Sequence, residues 1–250
     1  MLVSKKFHLG RGKMLAFLDE LALTKHKAVS LYVPQGTTQG RVENLLEKVF
    51  PASAVPPGVA EAIAGSRMGA AFLWSPSEMY GVLPPFPIVD EYVTSSYDVE
   101  PLRSLLTRDF LIALILVRLG AYSIGICRGT ELLGSKTGTG LVHARHKKGG
   151  SSQARFARHR GKQIEQFLIR VCSHVREHIE PHARSLDYLV YGGARTTVLL
   201  LRKRCPFLHQ FDGRVLRTLL DIPEPRRAVL EDAVGTVWST DVIEWRQDGS

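Results

Sequence analysis

Residues 145–160 read R-H-K-K-G-G-S-S-Q-A-R-F-A-R-H-R. Two basic runs flank a centre, Gly149-Gly150-Ser151-Ser152-Gln153, that carries no apolar side chain. Such a centre has nothing to bury, so it reads as an exposed tip between two regular elements. From Leu132 to Ile164 there is no Asp or Glu, while eight cations occur: Lys136, Arg145, Lys147, Lys148, Arg155, Arg158, Arg160 and Lys162. The whole chain has 33 Lys and Arg against 24 Asp and Glu, and outside this window the balance is 25 against 24. The basicity is therefore local, and a local positive patch suits a polyanion.

Working outward, Ile164, Phe167, Leu168, Val171, Cys172, Val175 and Ile179 recur at helical spacing. They predict one long helix that ends near Pro181. Upstream, residues 110–117 and 121–128 are apolar runs joined by Leu119-Gly120, which predicts a hairpin, with a third strand over 131–137. Downstream, strands are expected over 186–191 and 215–222, and helices over 195–204 and 226–237. A meander, a long helix and then alternating strands and helices make an α/β unit with a mixed sheet.

The N-terminal part predicts helices over 13–23, 41–50 and 58–64, and strands over 28–33, 70–74 and 79–83. Pro84-Pro85-Phe86-Pro87 continues neither a helix nor a central strand. The domain boundary is placed there, leaving a small α+β region over 1–86 and the α/β domain over 87–250. That domain opens with a strand at 88–93 and a helix at 99–106.

Apolar residues make up 44% of the 250 positions and charged residues 23%, the profile of a globular chain. The three cysteines, Cys127, Cys172 and Cys205, form no C-x-x-C pair. Neither a disulfide framework nor a cysteine zinc site is expected, and a reducing cytoplasm is the expected compartment. No stretch is long and apolar enough to span a bilayer, and no signal peptide is expected.

The run of glycines, glutamine and Arg155-Phe156-Ala157-Arg158 resembles the catalytic loop of the eukaryotic and archaeal class-1 release factors. With two serines between the glycines and Gln153, it is more similar to the release-factor-like domain of the Vms family, the peptidyl-tRNA hydrolases of ribosome-associated quality control. The resemblance implies an RNase H-like fold for the second domain. It also implies a peptidyl-tRNA hydrolase that inserts the Gly-Gly-Ser-Ser-Gln loop at the peptidyl-transferase centre. Gln153 would hold water and the reacting oxygens, Gly149 and Gly150 would set the loop conformation, and Ser151 and Ser152 would fill the tip. Arg145, Lys147, Lys148, Arg155, Arg158 and Arg160 would bind RNA. The expected partners are the rRNA of the large ribosomal subunit and peptidyl-tRNA, with no membrane, DNA, metal or cofactor.

Ester hydrolysis needs placed water and a stabilised oxyanion. Glutamine offers amide donors and an acceptor, and does not titrate near neutral pH. Two other functions fit the same residues: a non-catalytic ribosome-binding rescue factor, and a nuclease cutting the tRNA 3′ end. The nuclease would need convergent carboxylates, and the candidates are Asp90, Glu131, Asp187 and Asp221. The Asn-Ile-Lys-Ser motif of codon-reading factors is missing, so stop-codon reading is not expected.

Overall fold

The computed structural model describes residues 2–23, 27–51, 54–142, 152–216 and 218–247. In chain order the first elements are β1 (Leu2–Leu9), α1 (Arg11–Ala22), β2 (Val29–Val33), α2 (Gln39–Val49), α3 (Val59–Ala64), β3 (Ala70–Trp74), β4 (Met79–Leu83), β5 (Tyr92–Thr94) and α4 (Glu100–Thr107). Then come β6 (Leu111–Arg118), β7 (Ala121–Arg128), β8 (Glu131–Thr139), α5 (Ser152–Ile179), β9 (Tyr188–Gly193), α6 (Arg195–Arg204), α7 (Arg227–Val237) and β10 (Thr240–Gln247). The architecture is mixed α/β, in two compact units: Met1–Arg108 with Gly235–Ser250, and Asp109–Val234.

The first unit is a six-stranded antiparallel sheet in the order β1-β10-β4-β3-β2-β5. Successive strand residues point to opposite faces, and here both faces are apolar. Tyr32, Ala71, Leu73 and Val82 pack with Met14 and Leu18 of α1 and Leu102 and Leu106 of α4. Their strand neighbours Leu31, Val33, Ala70 and Phe72 pack with Val42 and Leu46 of α2 and Val59 and Ile63 of α3. Continuous apolar strands are what a sheet covered on both sides requires.

The division falls after Arg108 and again after Val234, rather than after residue 86. Tertiary contact decides this. Phe86 is fully buried, with its ring 4.6 Å from that of Trp238. Ile88 donates to the Met68 carbonyl and accepts from the Gln35 amide. The proline run is thus an internal connection of the first unit. β1 and β10, neither of them expected, pair from Leu2↔Gln247 to Leu9↔Thr240 and bring the two ends of the chain into that sheet.

The second unit has a four-stranded sheet in the order β8-β7-β6-β9. β6, β7 and β8 form an antiparallel meander, and β9 runs parallel to β6. Parallel neighbours need a crossover, and α5 lies within this one. Phe167, Leu168, Val171, Val175 and Ile179 of α5 pack on Ala113, Ile115, Val117, Tyr122, Ile124 and Ile126. Val198 and Leu201 of α6 join the same core. Among the described residues of 215–222 the expected strand does not form. Only isolated bridges, Leu189↔Val215 and Gly192↔Leu220, tie that segment to β9. A 3-10 helix, Pro206–Arg214, precedes it and buries Leu208 and Phe211.

The cysteines depart from expectation. Cys172 of α5 and Cys205, at the end of α6, form a disulfide with 5.4 Å between their Cα atoms. Spacing along the chain could not reveal this pair, because the two helices meet only through tertiary contacts. Cys127 is free and fully buried on β7, and burial pushes its thiol from 9 up to about 12. Folding therefore holds Cys127 neutral. That contribution is complete below pH 9 and is lost as the pH rises toward about 12. Iodoacetamide at pH 8 is expected to leave Cys127 unmodified in the native protein and to label it after denaturation, read by peptide mass. Native labelling would contradict its enclosure.

Candidate functional site

The cationic window begins on β8, and its second half is the start of α5. Gly149, Gly150, Ser151, Arg145, Lys147 and Lys148 lie outside the described residues. Ser152 and Gln153 open α5; their side chains also fall outside the description. Arg155, Arg158 and Lys162 are exposed, and Arg160 is half-buried. Residues three and seven apart share a helix face, so Arg155, Arg158 and Lys162 form one stripe. The first turn of α5 contains no acidic residue. Its helix dipole adds partial positive charge at that end. All of 155–159, 161 and 162 are exposed, whereas Phe167 and Leu168 are buried. At 1.5 Å per residue, about 18 Å of helix precedes Ile164.

The base of this arm is fastened to the end of β8. The Gly140 amide donates to the Gly120 carbonyl at 2.9 Å. The Arg170 guanidinium of α5 donates to the Thr139 carbonyl at 3.3 Å. A Cβ at Gly140 would sit 2.7 Å from Cδ2 of Phe167, and one at Gly138 would sit 2.2 Å from the Tyr122 hydroxyl. The run Thr137-Gly138-Thr139-Gly140 therefore makes room for two rings that hold α5 on the sheet. Tyr122 is hydrogen-bonded to Nδ1 of His174 at 2.5 Å. Burial and then Lys136 hold the His174 imidazole below its ordinary range, and burial pushes the Tyr122 hydroxyl up. These anchors are not among the residues expected from the sequence. The alternation of glycine and threonine was the available signal, but it does not say which rings lie above the glycines.

Of the carboxylates a nuclease would need, two have partners of their own. Asp187 accepts from the Leu111 amide at 2.8 Å, and Asp221 pairs with Arg118 at 3.4 Å. Glu131 opens β8, and Asp90 belongs to the first unit. Among the described residues no group of three or more His, Cys, Asp or Glu is placed to hold a metal ion. Among them, too, no helix is long and apolar enough to cross a membrane.

Comparison with known proteins adds the following. Peptide chain release factor subunit 1 of Archaeoglobus fulgidus is 27% identical over 113 residues, which are 45% of this chain and 28% of that relative. The chain thus matches less than a third of that relative's length. Among solved structures, the archaeal translation termination factor aRF1 has a TM-score of 0.41 at 17% identity, over 92% of this chain and 70% of its own. The Vms1 mitochondrial localization core has a TM-score of 0.44 at 12% identity, over 91% of each chain. The family model described as the Actinobacteria/chloroflexi VLRF1 release factor matches residues 111–243, which is more than half of the sequence. The chain belongs to this Vms-like release factor family.

Proposed function

We propose that the chain is a ribosome rescue factor and acts as a peptidyl-tRNA hydrolase, freeing nascent chains stranded on the ribosome or its large subunit. The observation that carries this is the Gly-Gly-Ser-Ser-Gln sequence leading directly into the cationic start of α5, in a chain of a release factor family. In this reading the second unit is an RNase H-like catalytic domain that works in the cytoplasm. α5 is the arm that carries Gln153 toward the peptidyl-transferase centre. The tip glycines admit the backbone where a Cβ would clash with RNA. The Gln153 amide positions water and donates to the oxygen on which charge develops, while the ribosome supplies the rest of the site. Arg145, Lys147, Lys148, Arg155, Arg158 and Arg160 neutralise phosphates, the arginines through forked donors.

The test uses purified large subunits carrying labelled peptidyl-tRNA. Free peptide with intact tRNA is the expected product. Retained peptide with the protein still bound would make it a non-catalytic rescue factor. Peptide still attached to nucleotides would make it a nuclease.

The electrostatic part has its own test. Affinity for the large subunit is expected to fall linearly in log-log form with salt. Replacing Arg155 and Arg158 together by alanine is expected to lower the slope by roughly 1 to 2. Filter binding across a salt series reads this, and an unchanged slope would remove the two arginines from the RNA contact.

A further inference from the structure

We propose that Cys172–Cys205 is a reversible oxidation site that sets the stability of the second unit. Four observations support it. The pair lies 5.4 Å apart between Cα atoms, and this spacing fits a bond in ordinary backbone geometry. The two residues differ in exposure: Cys205 is fully buried, while Cys172 is only partly buried on α5. A small dithiol or peroxide therefore approaches the pair from the Cys172 side. The two helices do not depend on the bond to stay together. Arg204 of α6 and Glu165 of α5 form an ion pair at 2.8 Å, and Leu168, Val171 and Leu201 are buried in a shared core. The reduced pair thus remains poised to close again. Finally, the third cysteine, Cys127, is enclosed and held as a thiol, so it does not compete for exchange.

The chemistry is balanced in both directions. In closure, peroxide oxidises the Cys172 thiol to a sulfenic acid and releases one water. The Cys205 thiol then condenses with it, forming the S–S bond and releasing a second water. In opening, a dithiol reductant attacks Sγ of Cys172 as a thiolate, and the Cys205 thiolate leaves and takes up a proton. The second thiol of the reductant then resolves the mixed disulfide, freeing Cys172 and leaving the reductant as its own disulfide. The closed bond spans 33 residues of sequence. A cross-link of that span restricts the unfolded chain and is expected to raise the melting temperature by about 10 °C.

The experiment uses the full chain. After native exposure to hydrogen peroxide, denaturation with N-ethylmaleimide is expected to add one label, on Cys127. After native exposure to dithiothreitol it is expected to add three. Melting temperature is expected to fall by about 10 °C on reduction of the wild type and not to respond to reductant in Cys172→Ser. Cys205→Ala serves as the second variant, and the wild type alone still reads the bond if both variants fold poorly. Three labels after peroxide would show that the pair does not close. One label after native dithiothreitol would show a permanent bond. Either result overturns the proposal, whatever the outcome of the release assay.

Discussion

Replacing Gln153 by alanine is expected to slow peptide release by about 100-fold or more, with large-subunit affinity changed by less than about threefold. The asymmetry follows from where each kind of contact acts. A preorganised amide donor in a water-excluded centre acts on charge that exists only at the transition state, so its loss appears in the rate. In the proposed function binding is spread over many phosphate contacts, and an uncharged side chain contributes little to such a sum. Single-turnover release and binding by the same labelled subunits separate the two. Equal losses of release and affinity would make Gln153 a docking residue and leave the chemistry elsewhere. Gln153→Asn keeps the amide and withdraws it by one methylene, so a release defect like that of alanine would assign the effect to position rather than chemical type. Glutamine has no proton to lose near neutrality, so the pH profile of release is expected to be set by the ribosomal centre and not by this side chain.

Replacing Gly193 by valine is expected to destabilise the second unit by roughly 3–5 kcal/mol, enough to remove much of a typical domain's stability. Gly193 closes β9 just before α6, with φ +103°. That conformation is strained for any residue with a Cβ. Space is also lacking: a Cβ there would lie 2.3 Å from the Val117 carbonyl oxygen. The obstacle is backbone of the neighbouring strand, paired in register as Val117↔Gly193, so it cannot rotate aside. The same glycine donates its amide to the Leu220 carbonyl at 2.9 Å, which ties the 215–222 segment to the sheet. Urea unfolding of the variant is expected to show a lowered midpoint, and soluble yield to fall. Gly134→Ala on β8 is the control. A Cβ there meets nothing within 4 Å, and its effect is expected within about 0.5 kcal/mol. A wild-type midpoint for Gly193→Val would contradict the close approach of β9 to β6.

The amphipathic elements were legible from local pattern. The run from Ile164 to Ile179 places its apolar residues on one face, and Phe167, Leu168, Val171, Val175 and Ile179 are the residues buried against the sheet. The runs on either side of Leu119-Gly120 became β6 and β7, paired from Leu111↔Arg128 to Arg118↔Ala121. The cationic stripe of Arg155, Arg158 and Lys162 follows from spacing alone, since helical geometry fixes which positions are neighbours.

The legible features were therefore local: the period of apolar side chains, the breaks at glycine and proline, and the clustering of like charge around residues 145–160. These depend on neighbours within a turn or a strand pair. The remaining features came from contacts made in the folded chain. Folding extended the first sheet by joining β1 to β10 across nearly the whole chain, and it turned the Pro84–Pro87 run into an internal connection. It gave the described residues of the 215–222 segment two isolated bridges rather than a strand ladder. It set Tyr122 over Gly138, Phe167 over Gly140, and Cys172 beside Cys205. Each of these is a meeting of residues far apart in sequence. Their favourable contacts exist only once the loop between them has been closed, so no local window of the sequence contains the information.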